Sequence, residues 1–216
     1  MDLILVRHGE CGTHSTDDVL TSVGEWQALQ IGQRLAKKPI TALLSSPLLR
    51  ALGTASIIAY QLGNCPVEVW TELREGFDGS YKGCGSLELL QRFPLALLPS
   101  DIEQDGWEHG GDTQKTMVER CHLILHMLDE RFGPDDTIVV VTHGGMLTYL
   151  FHVLLHISPR TLSWFDISYG AINRVRIVPK EQQKSYLPLY PLTKVEVESI
   201  NDLSHFSCLW EEASKK

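Results

Sequence analysis

Arginine and histidine side chains stand directly after apolar runs at three places in the chain. Arg7 and His8 follow the run LILV, Arg50 follows LLSSPLL, and His143 ends IVVVTH, just before Gly144. Guanidinium groups make charge-assisted, often forked hydrogen bonds to phosphoryl oxygens, and imidazoles can add a further donor. If the fold brings these residues together, they form a positively charged pocket suited to a phosphate group.

Alternating strand and helix patterns are expected to position these residues. Short continuous apolar runs predict buried strands, and apolar residues at a spacing near 3.6 predict amphipathic helices. We predict strands at residues 3–6, 40–46, 67–70, 137–143, 172–178 and 194–201, and helices at residues 21–38, 47–63, 113–133 and 145–157. Such alternation is typical of an α/β fold, here a three-layer α/β/α sandwich with a mostly parallel central sheet. We expect the last two strands to be more exposed than the others.

The carboxyl ends of parallel strands are where ligands bind in such folds, and the four side chains lie at such ends. Arg50 stands in the first turn of a predicted helix, and helical side chains tilt toward the N-terminus, so its guanidinium can reach back to that edge. Gly144 begins another predicted helix, whose free N–H groups favour an anion. Taken singly, each residue could equally be a surface charge or part of a turn, so the prediction rests on their shared position.

The composition excludes several classes of protein. The 216 residues are 43% apolar and 21% charged, as in an ordinary globular protein, and the net charge of −8 argues against general affinity for nucleic acid or anionic membranes. We see no apolar segment that reads as a membrane span or a signal peptide. Five widely spaced cysteines without a C-x-x-C pair indicate a reducing, cytoplasmic location rather than a disulfide framework.

The middle of the chain, residues 72–113, is rich in glycine and also contains prolines, which predicts an irregular segment with one or two short helices. We expect residues 74–115 to form a lid-like insertion over the site, within a single domain of residues 1–216. Phe77, Tyr81, Trp107 and His109 could line the entrance or pack inside the lid. Substrate selectivity is expected to lie in this segment, so the sequence does not identify the substrate.

Seven segments together resemble the histidine phosphatase superfamily, the phosphoglycerate mutase-like proteins. Three of them are the strand ends LVRHGE, LLSSPLLRALGTA and VVVTHGG, in that order. The other four are DVLTSVGEWQA at residues 18–28, LREGFDGSYKG at 73–83, HGGDT at 109–113 and INDLSH at 200–205. An R-H-G motif is specific for this family when a second His-Gly follows it about 130 residues later. The resemblance runs from the first strand to nearly the last residues.

The resemblance implies a metal-independent phosphatase that hydrolyses a small phosphomonoester through a phosphohistidine on His8. Arg7, Arg50 and His143 would bind the phosphoryl oxygens, and the backbone N–H of Gly144 would be a further donor. Because arginines and histidines supply the positive charge, neither a metal nor a cofactor is implied. The implied partner is a small phosphorylated metabolite.

The remaining roles are placed less directly by the resemblance. The family's proton donor falls on Glu75, with Glu72 as the competing carboxylate. His14 stands about where the family has an Asn that helps to bind phosphate, so it is a candidate binding residue. Cys11 replaces the usual small polar residue after the R-H-G-E segment, and we expect it to be a half-buried side chain.

Two other functions stay open. The first is a phosphoglycerate mutase, but cofactor-dependent mutases carry longer, basic insertions that are not found here, so hydrolysis is favoured. The second is a binding module that keeps the fold without turnover. The retention of both histidines, both arginines and a candidate acid argues against it.

Two pairs of histidines have the i, i+4 spacing that can bind zinc: His122 with His126, and His152 with His156. No H-E-x-x-H pattern accompanies them, so no metal site is predicted, and the second pair is expected to be interior or at an interface. A homodimer formed through the late strands is a further possibility.

Overall fold

The computed structural model describes residues 1–15, 17–158, 163–183 and 194–206. The strands in this part of the chain are β1 (Asp2–Arg7), β2 (Ala42–Ser45), β3 (Val67–Val69), β4 (Ser80–Gly83), β5 (Ala96–Leu97), β6 (Trp107–Gly110), β7 (Thr137–Thr142), β8 (Ile172–Ile177) and β9 (Val195–Asp202). The α-helices are α1 (Ser22–Leu35), α2 (Leu49–Gln61), α3 (Ser86–Arg92), α4 (Gln114–Arg131) and α5 (Gly144–Leu154). Every strand and helix predicted from the sequence is present, with ends shifted by at most three residues.

Seven strands form the central sheet, in the order β5-β3-β2-β7-β1-β8-β9. The strands from β5 to β1 pair in parallel, whereas β8 and β9 are antiparallel to their neighbours. The prediction of a mostly parallel sheet is confirmed. Because β2, β7 and β1 are adjacent and parallel, their carboxyl ends lie side by side at one edge.

Alternating residues of β1 show how the sheet divides the core. Ile4 and Val6 pack on the side of α1 and α2, and Leu3 and Leu5 pack on the side of α4 and α5. All four side chains are almost completely buried, as expected for a strand whose successive side chains point to opposite faces that are both covered. The helices thus form a layer on each side of the sheet, which confirms the three-layer architecture.

Capping residues fix where two of the helices begin. Thr21 caps α1 by accepting a hydrogen bond from the N–H of Gly24 at 3.1 Å, and Thr113 forms a capping box with Thr116 at the start of α4. The predicted helix 145–157 ends earlier, at Leu154. His156 adopts a left-handed φ of 53° beyond that end, so it leaves the helical face that the sequence pattern assigned to it.

The middle segment is more ordered than the sequence predicts. β4 and β6 form a separate two-stranded antiparallel sheet in which Tyr81 stands opposite His109. α3 and β5 lie between these strands in the chain, so a short helix was expected correctly but three strands were not. Those strands have four residues or fewer, which is too short for a period-2 pattern to be distinguished.

The two late strands differ in exposure. Ile172, Asn173 and Val175 of β8 are buried because β8 lies between β1 and β9. Arg174, Arg176 and Ile177 are only partly buried, so β8 is more exposed than β7 but less exposed than β9. β9 is the edge strand and exposes Val197 and Ile200, as predicted.

Two further expectations from the sequence concern the cysteines and membrane-spanning segments. Cys11, Cys65, Cys84 and Cys121 are free, as expected, and Cys208 lies outside the described residues. Across those described ranges, no helix is both long enough and apolar enough to cross a membrane.

Candidate active site

His8 lies directly after β1, where it is 4% exposed. Its Nδ1 is 2.7 Å from the carbonyl oxygen of Gly9, which can only accept, so Nδ1 carries the proton. Nε2 then carries the lone pair and accepts a hydrogen bond from Nε of Arg50 at 3.2 Å. The backbone carbonyl of Gly9 thus fixes the tautomer of His8.

Both imidazoles of the site are held neutral. Burial, together with the nearby Arg50 guanidinium, lowers the pKa of His8 to about 3, and Arg7 acts in the same direction. Burial, followed by Arg50, also lowers the pKa of His143 well below its usual range. The two rings meet edge to face with centroids 5.0 Å apart. The positive charge of the cluster formed by Arg7, His8, Arg50 and His143 therefore belongs to the two arginines.

Arg7 ends β1 and lies between an aromatic ring and the start of α5. Its guanidinium carbon is 3.9 Å from the centroid of the Tyr169 ring, and its Nη1 donates to the carbonyl oxygen of Ile167 at 2.5 Å. A Cβ placed on Gly144 would lie 3.4 Å from that guanidinium carbon. The glycine that was predicted at the helix start thus lies directly against Arg7.

Arg50 stands in the first turn of α2, as predicted, and its side chain reaches His8. The loop after β1 is tied to the same turn, because Thr54 accepts from the N–H of Gly9 at 3.0 Å and donates to the carbonyl of Arg50 at 2.8 Å. On its other side, Nη1 of Arg50 is 3.6 Å from Oδ1 of Asp17. Asp17 was not identified from the sequence.

His143 follows β7 and is fully buried. Its Nε2 is 2.8 Å from Oγ of Ser46, which follows β2 and also accepts from the N–H of Leu48 at 3.3 Å. Where the Ser46 hydroxyl donates to Nε2, the proton of His143 lies on Nδ1, a buried nitrogen without a partner among the described residues.

Glu75 lies at the N-terminus of α5. Its Oε2 accepts from the N–H of Gly145, and its Oε1 accepts from the N–H groups of Met146 and Gly76, all at 3.0 Å. Two of the helix-start N–H groups that we expected to bind a substrate anion thus bind the Glu75 carboxylate. This contact brings the candidate acid to the same edge as His143.

Glu72, the competing carboxylate, is placed differently. It lies in a short 3₁₀ helix at residues 71–73 and lines a separate surface cleft near Trp70 and Arg131. The geometry therefore favours Glu75 as the acid.

A cleft of about 600 Å³ opens beside Arg7, Glu75 and Gly144. Its wall is built by the segments that precede β4, α4 and β8, and by the start of α5. The lining residues are Arg7, Glu75, Gly76, Phe77, Asp78, Asp112, Thr113, Gln114, Met117, Gly144, Gly145, Tyr149, Trp164, Phe165, Asp166 and Ile167. Since His8 is not part of this lining, the cleft is the space next to the arginine and histidine cluster, with room for the rest of a substrate.

The aromatic residues of the middle segment divide between the two roles that the sequence left open. Phe77 lines the cleft. Tyr81 and Trp107 pack on either side of the His109 ring, with centroid distances of 4.8 Å and 4.3 Å, and Trp107 is buried. Three of the four therefore hold the β4–β6 pair together.

The loop after His8 contains two residues that the sequence analysis considered, His14 and Cys11. The side chain of His14 is exposed, and the backbone N–H of His14 bonds to the Asp18 carboxylate. Cys11 is half-buried, as expected, and is a side-chain hydrogen-bond partner of Tyr169. Burial raises the pKa of the Cys11 thiol.

Three site neighbours were missed by the sequence reasoning: Asp17, Ser46 and Tyr169. Ser46 follows β2 at the same edge as His8, but a serine before a proline is also common in ordinary turns, so its residue type alone does not mark it. The quoted motif at residues 18–28 starts one residue too late for Asp17. Tyr169 precedes a strand rather than following one, so the rule about carboxyl ends could not find it.

The members of the two histidine pairs differ in exposure and in neighbours. His122 and His126 are exposed on α4, where His126 lies 3.4 Å from Glu130. His152 is buried, as expected, whereas His156 is exposed beyond the end of α5. No cluster of three or more His, Cys, Asp or Glu that could hold a metal occurs in the described part of the chain.

A family model and several known proteins match the sequence of this chain. The family model of the histidine phosphatase superfamily, branch 1, matches residues 3–187. A glucosyl-3-phosphoglycerate phosphatase of Mycolicibacterium vanbaalenii is 30% identical over 166 residues, which cover 71% of this chain and 73% of the relative. A phosphoglycerate mutase-like protein 4 of Arabidopsis thaliana is 31% identical over 163 residues, which cover 69% of each chain.

Solved structures share the fold over most of the chain. A mutant phosphoserine phosphatase from Entamoeba histolytica, in complex with phosphoserine, superposes with a TM-score of 0.65 at 24% identity and covers 94% of this chain and 98% of that one. A putative alpha-ribazole-5'-P phosphatase from Escherichia coli gives a TM-score of 0.63 at 21% identity, with coverage of 94% and 97%.

Proposed function

Since the chain belongs to the histidine phosphatase superfamily, we propose that it is a metal-independent phosphatase that hydrolyses a small phosphomonoester through a phosphohistidine on His8. The observation that carries the proposal is the state of His8. The ring is buried and neutral, its proton is held on Nδ1 by Gly9, and its Nε2 lone pair faces the Arg50 guanidinium. An arginine that binds phosphoryl oxygens at this place brings phosphorus to that nitrogen.

In the first step, phosphoryl oxygens take the place of Nε2 as the acceptors of Arg50. The Nε2 lone pair attacks phosphorus, the bond from phosphorus to the ester oxygen breaks, and its electron pair goes to that oxygen. The imidazole becomes positively charged, and the Nδ1–H to Gly9 hydrogen bond stabilises this charge. Water then attacks phosphorus, the electron pair of the P–N bond returns to Nε2, and inorganic phosphate leaves.

Glu75 supplies the proton that the leaving oxygen needs and takes one back from the attacking water. Hydrogen bonds from the N–H groups of Gly145 and Met146 hold its carboxyl group at the start of α5, next to Gly144. Its place in the cleft wall next to Arg7 and Gly144 lies on the path of the leaving group.

The negative charge of the phosphoryl group is balanced by Arg7 and Arg50, by the Nδ1–H of His143 and by the backbone N–H of Gly144. Two guanidinium groups in a buried site supply fixed positive charge. For this reason the proposed chemistry uses no metal. His14 remains a predicted contact to the phosphoryl group, which would require its loop to move toward His8.

The middle segment, residues 74–115, is proposed to act as a lid within one domain of residues 1–216. Phe77 and Asp112 belong to this segment and line the cleft. The four free cysteines support a cytoplasmic location. A homodimer would use the exposed edge strand β9.

The charges of the cleft favour hydrolysis over mutase chemistry. A bisphosphate needs a second cationic subsite, but Arg7 is the one cation among the lining residues that the structure describes, against the carboxylates of Glu75, Asp78, Asp112 and Asp166. A second phosphoryl group in this cleft would therefore meet repulsion rather than a partner.

The test is hydrolysis of p-nitrophenyl phosphate by wild type and His8→Ala, with and without EDTA. We expect His8→Ala to lower kcat by about 10⁴-fold or more, because no other group can accept the phosphoryl group. Wild type incubated with a ³²P-labelled substrate and quenched in alkali should carry acid-labile label that His8→Ala lacks.

His126→Ala is the matched control, since this exposed histidine of α4 lies outside the cluster. Its activity should equal that of wild type. Equal activity of His8→Ala and wild type would contradict the mechanism, and loss of wild-type activity in EDTA would contradict the metal-free proposal. Phosphate transfer between positions of a glycerate that requires a bisphosphate primer would favour the mutase instead.

A further inference from the structure

Asp17 is a buried carboxylate that the proposed chemistry does not use. Its side chain is 4% exposed, and it lies in the loop between β1 and α1. Oδ1 accepts from the N–H of Leu49, the first residue of α2, at 2.7 Å, and lies 3.6 Å from Nη1 of Arg50. The carboxylate therefore holds both the backbone and the side chain of the helix turn that carries Arg50.

The same carboxylate also contacts the middle segment. The side chain of Tyr81, on β4, lies close enough to Asp17 for each group to act on the pKa of the other. The Tyr81 ring packs against His109 of β6, so the hydroxyl is fixed by the β4–β6 pair rather than by the loop of Asp17. Burial and the adjacent Asp17 raise the pKa of Tyr81, which keeps its hydroxyl protonated as a donor.

Arg50 in turn touches the reacting nitrogen, through its Nε contact with Nε2 of His8. A continuous path of polar contacts thus leads from the β4–β6 pair to the nucleophile, through Tyr81, Asp17 and Arg50. A guanidinium on a long side chain has many rotamers, and a fixed carboxylate restricts them. Burial raises the pKa of the Asp17 carboxyl to about 6, whereas Arg50 acts in the opposite direction, as expected of an ion pair that is buried together.

We propose that Asp17 is a positioning residue, through which Tyr81 of the β4–β6 pair sets the place of the Arg50 guanidinium and so the affinity of the phosphoryl site. The proposal rests on the proposed function, because it takes Arg50 as a phosphoryl ligand. The alternative role is purely structural, a cap for the N-terminus of α2.

The variant Asp17→Asn separates these two roles. The amide oxygen can still accept from the N–H of Leu49, so the helix cap is kept, while the charge that holds Arg50 is removed. Binding of inorganic phosphate is measured by calorimetry, beside kcat and KM for p-nitrophenyl phosphate and the melting temperature. We expect the Kd for phosphate and the KM to rise about tenfold, with a smaller change in kcat, because the guanidinium loses its orientation.

Tyr81→Phe removes the hydroxyl alone and is expected to raise the Kd for phosphate about threefold. In the double variant Asp17→Asn/Tyr81→Phe, the second substitution should add nothing, because both act through one carboxylate. Asp129→Asn and Tyr60→Phe are the matched controls: the first changes an exposed carboxylate of α4, and the second an exposed tyrosine of α2. Both should bind phosphate as wild type does.

Three outcomes would overturn the proposal: an unchanged Kd in Asp17→Asn, a lower melting temperature with unchanged Kd and KM, or additive effects in the double variant. Arg50→Ala distinguishes these results from failure of the proposed function. If Arg50→Ala loses phosphate binding while Asp17→Asn keeps it, only the role of Asp17 is wrong. If Arg50→Ala binds phosphate as wild type does, the proposed function itself is contradicted.

Discussion

At the residue scale, the positive charge of the site and its nucleophilic nitrogen belong to different residues. Arg7 and Arg50 carry the positive charge, while burial and these guanidinium groups keep His8 and His143 neutral. A protonated His8 would have no lone pair to offer, and neutral arginines would leave the phosphoryl oxygens without partners. Four residues of similar appearance in the sequence thus take two different roles.

The acid role of Glu75 can be tested by the leaving group. Glu75→Gln removes the proton that a departing alkoxide needs, so kcat/KM for glycerol phosphate, which covers the steps up to release of the alcohol, should fall by about 10²-fold or more. p-Nitrophenolate leaves without a proton, so kcat/KM for p-nitrophenyl phosphate should fall by less than about tenfold. Steady-state kinetics on both substrates provides the measurement.

Because Glu75 also accepts from the first N–H groups of α5, its loss could act through the helix instead. A structural effect would lower kcat/KM for both substrates equally, and that result would contradict the acid role. Glu72→Gln, in its separate cleft, is the control and should retain both activities.

Individual site residues could be predicted where they follow a strand. Arg7, His8 and His143 stand at carboxyl ends of buried strands, and the topology rule brings them to one edge. Asp17 and Tyr169 come from irregular loops, whose backbone course no periodic pattern encodes. Their contacts exist only once the loops are folded over the edge.

At the scale of elements, the start of α5 connects the acid to the phosphoryl site. Gly145 lies so close to Glu75 that a Cβ there would be 2.6 Å from Oε1. Gly145→Ala should displace the carboxylate, which can move because it is the end of a side chain, and lower kcat for glycerol phosphate by about tenfold. Stability should not fall, because alanine favours a helix over glycine by about 1 kcal/mol.

Gly53→Ala is the matched control for this prediction. It lies in α2, where a Cβ would be 3.4 Å from Cδ1 of Leu20, and it is far from Glu75 in the chain. Its melting temperature should not fall and its kcat should not change. Full activity of Gly145→Ala would show that the Glu75 position is not critical.

Elements with a clear apolar pattern could be predicted, and those without one could not. α4 has helical periodicity over 18 residues and β7 has a continuous apolar run of four, so their type follows from the sequence. β4 and β6 each have four residues, and their pairing depends on the ring packing of Tyr81, Trp107 and His109. Such packing is a tertiary effect that local patterns do not contain.

At the scale of the whole molecule, one sheet joins the site to both cores. β1 contributes Ile4 and Val6 to one apolar cluster and Leu3 and Leu5 to the other, and it ends in Arg7 and His8. The two cores therefore fix the strand that carries the nucleophile from both sides. β1 could be predicted because a strand that is buried on both faces has an unbroken run of apolar residues.

Burying neutral histidines makes the whole fold sensitive to acid. The pKa values of His8, His109 and His205 are lowered to about 3, 4 and 4, in each case mainly by burial. Below pH 6.5 the unfolded chain binds protons on these residues and the folded chain does not, so the free energy of unfolding decreases as pH falls toward 4. Asp17, whose pKa is raised to about 6, acts in the opposite direction between pH 6 and 4.

His205→Gln should make this pH dependence shallower. His205 donates from Nε2 to the carbonyl of Gly170 at 3.0 Å, and a glutamine amide can replace that donor without titrating. Between pH 6.5 and 4, wild type binds one proton fewer on His205 than its unfolded chain, whereas the variant lacks this difference, so its melting temperature should fall less. Above pH 7 the two curves should run parallel, which is the internal control. Thermal unfolding followed by circular dichroism from pH 4 to 8 provides the measurement, and equal slopes below pH 6.5 would show that folding does not hold His205 neutral.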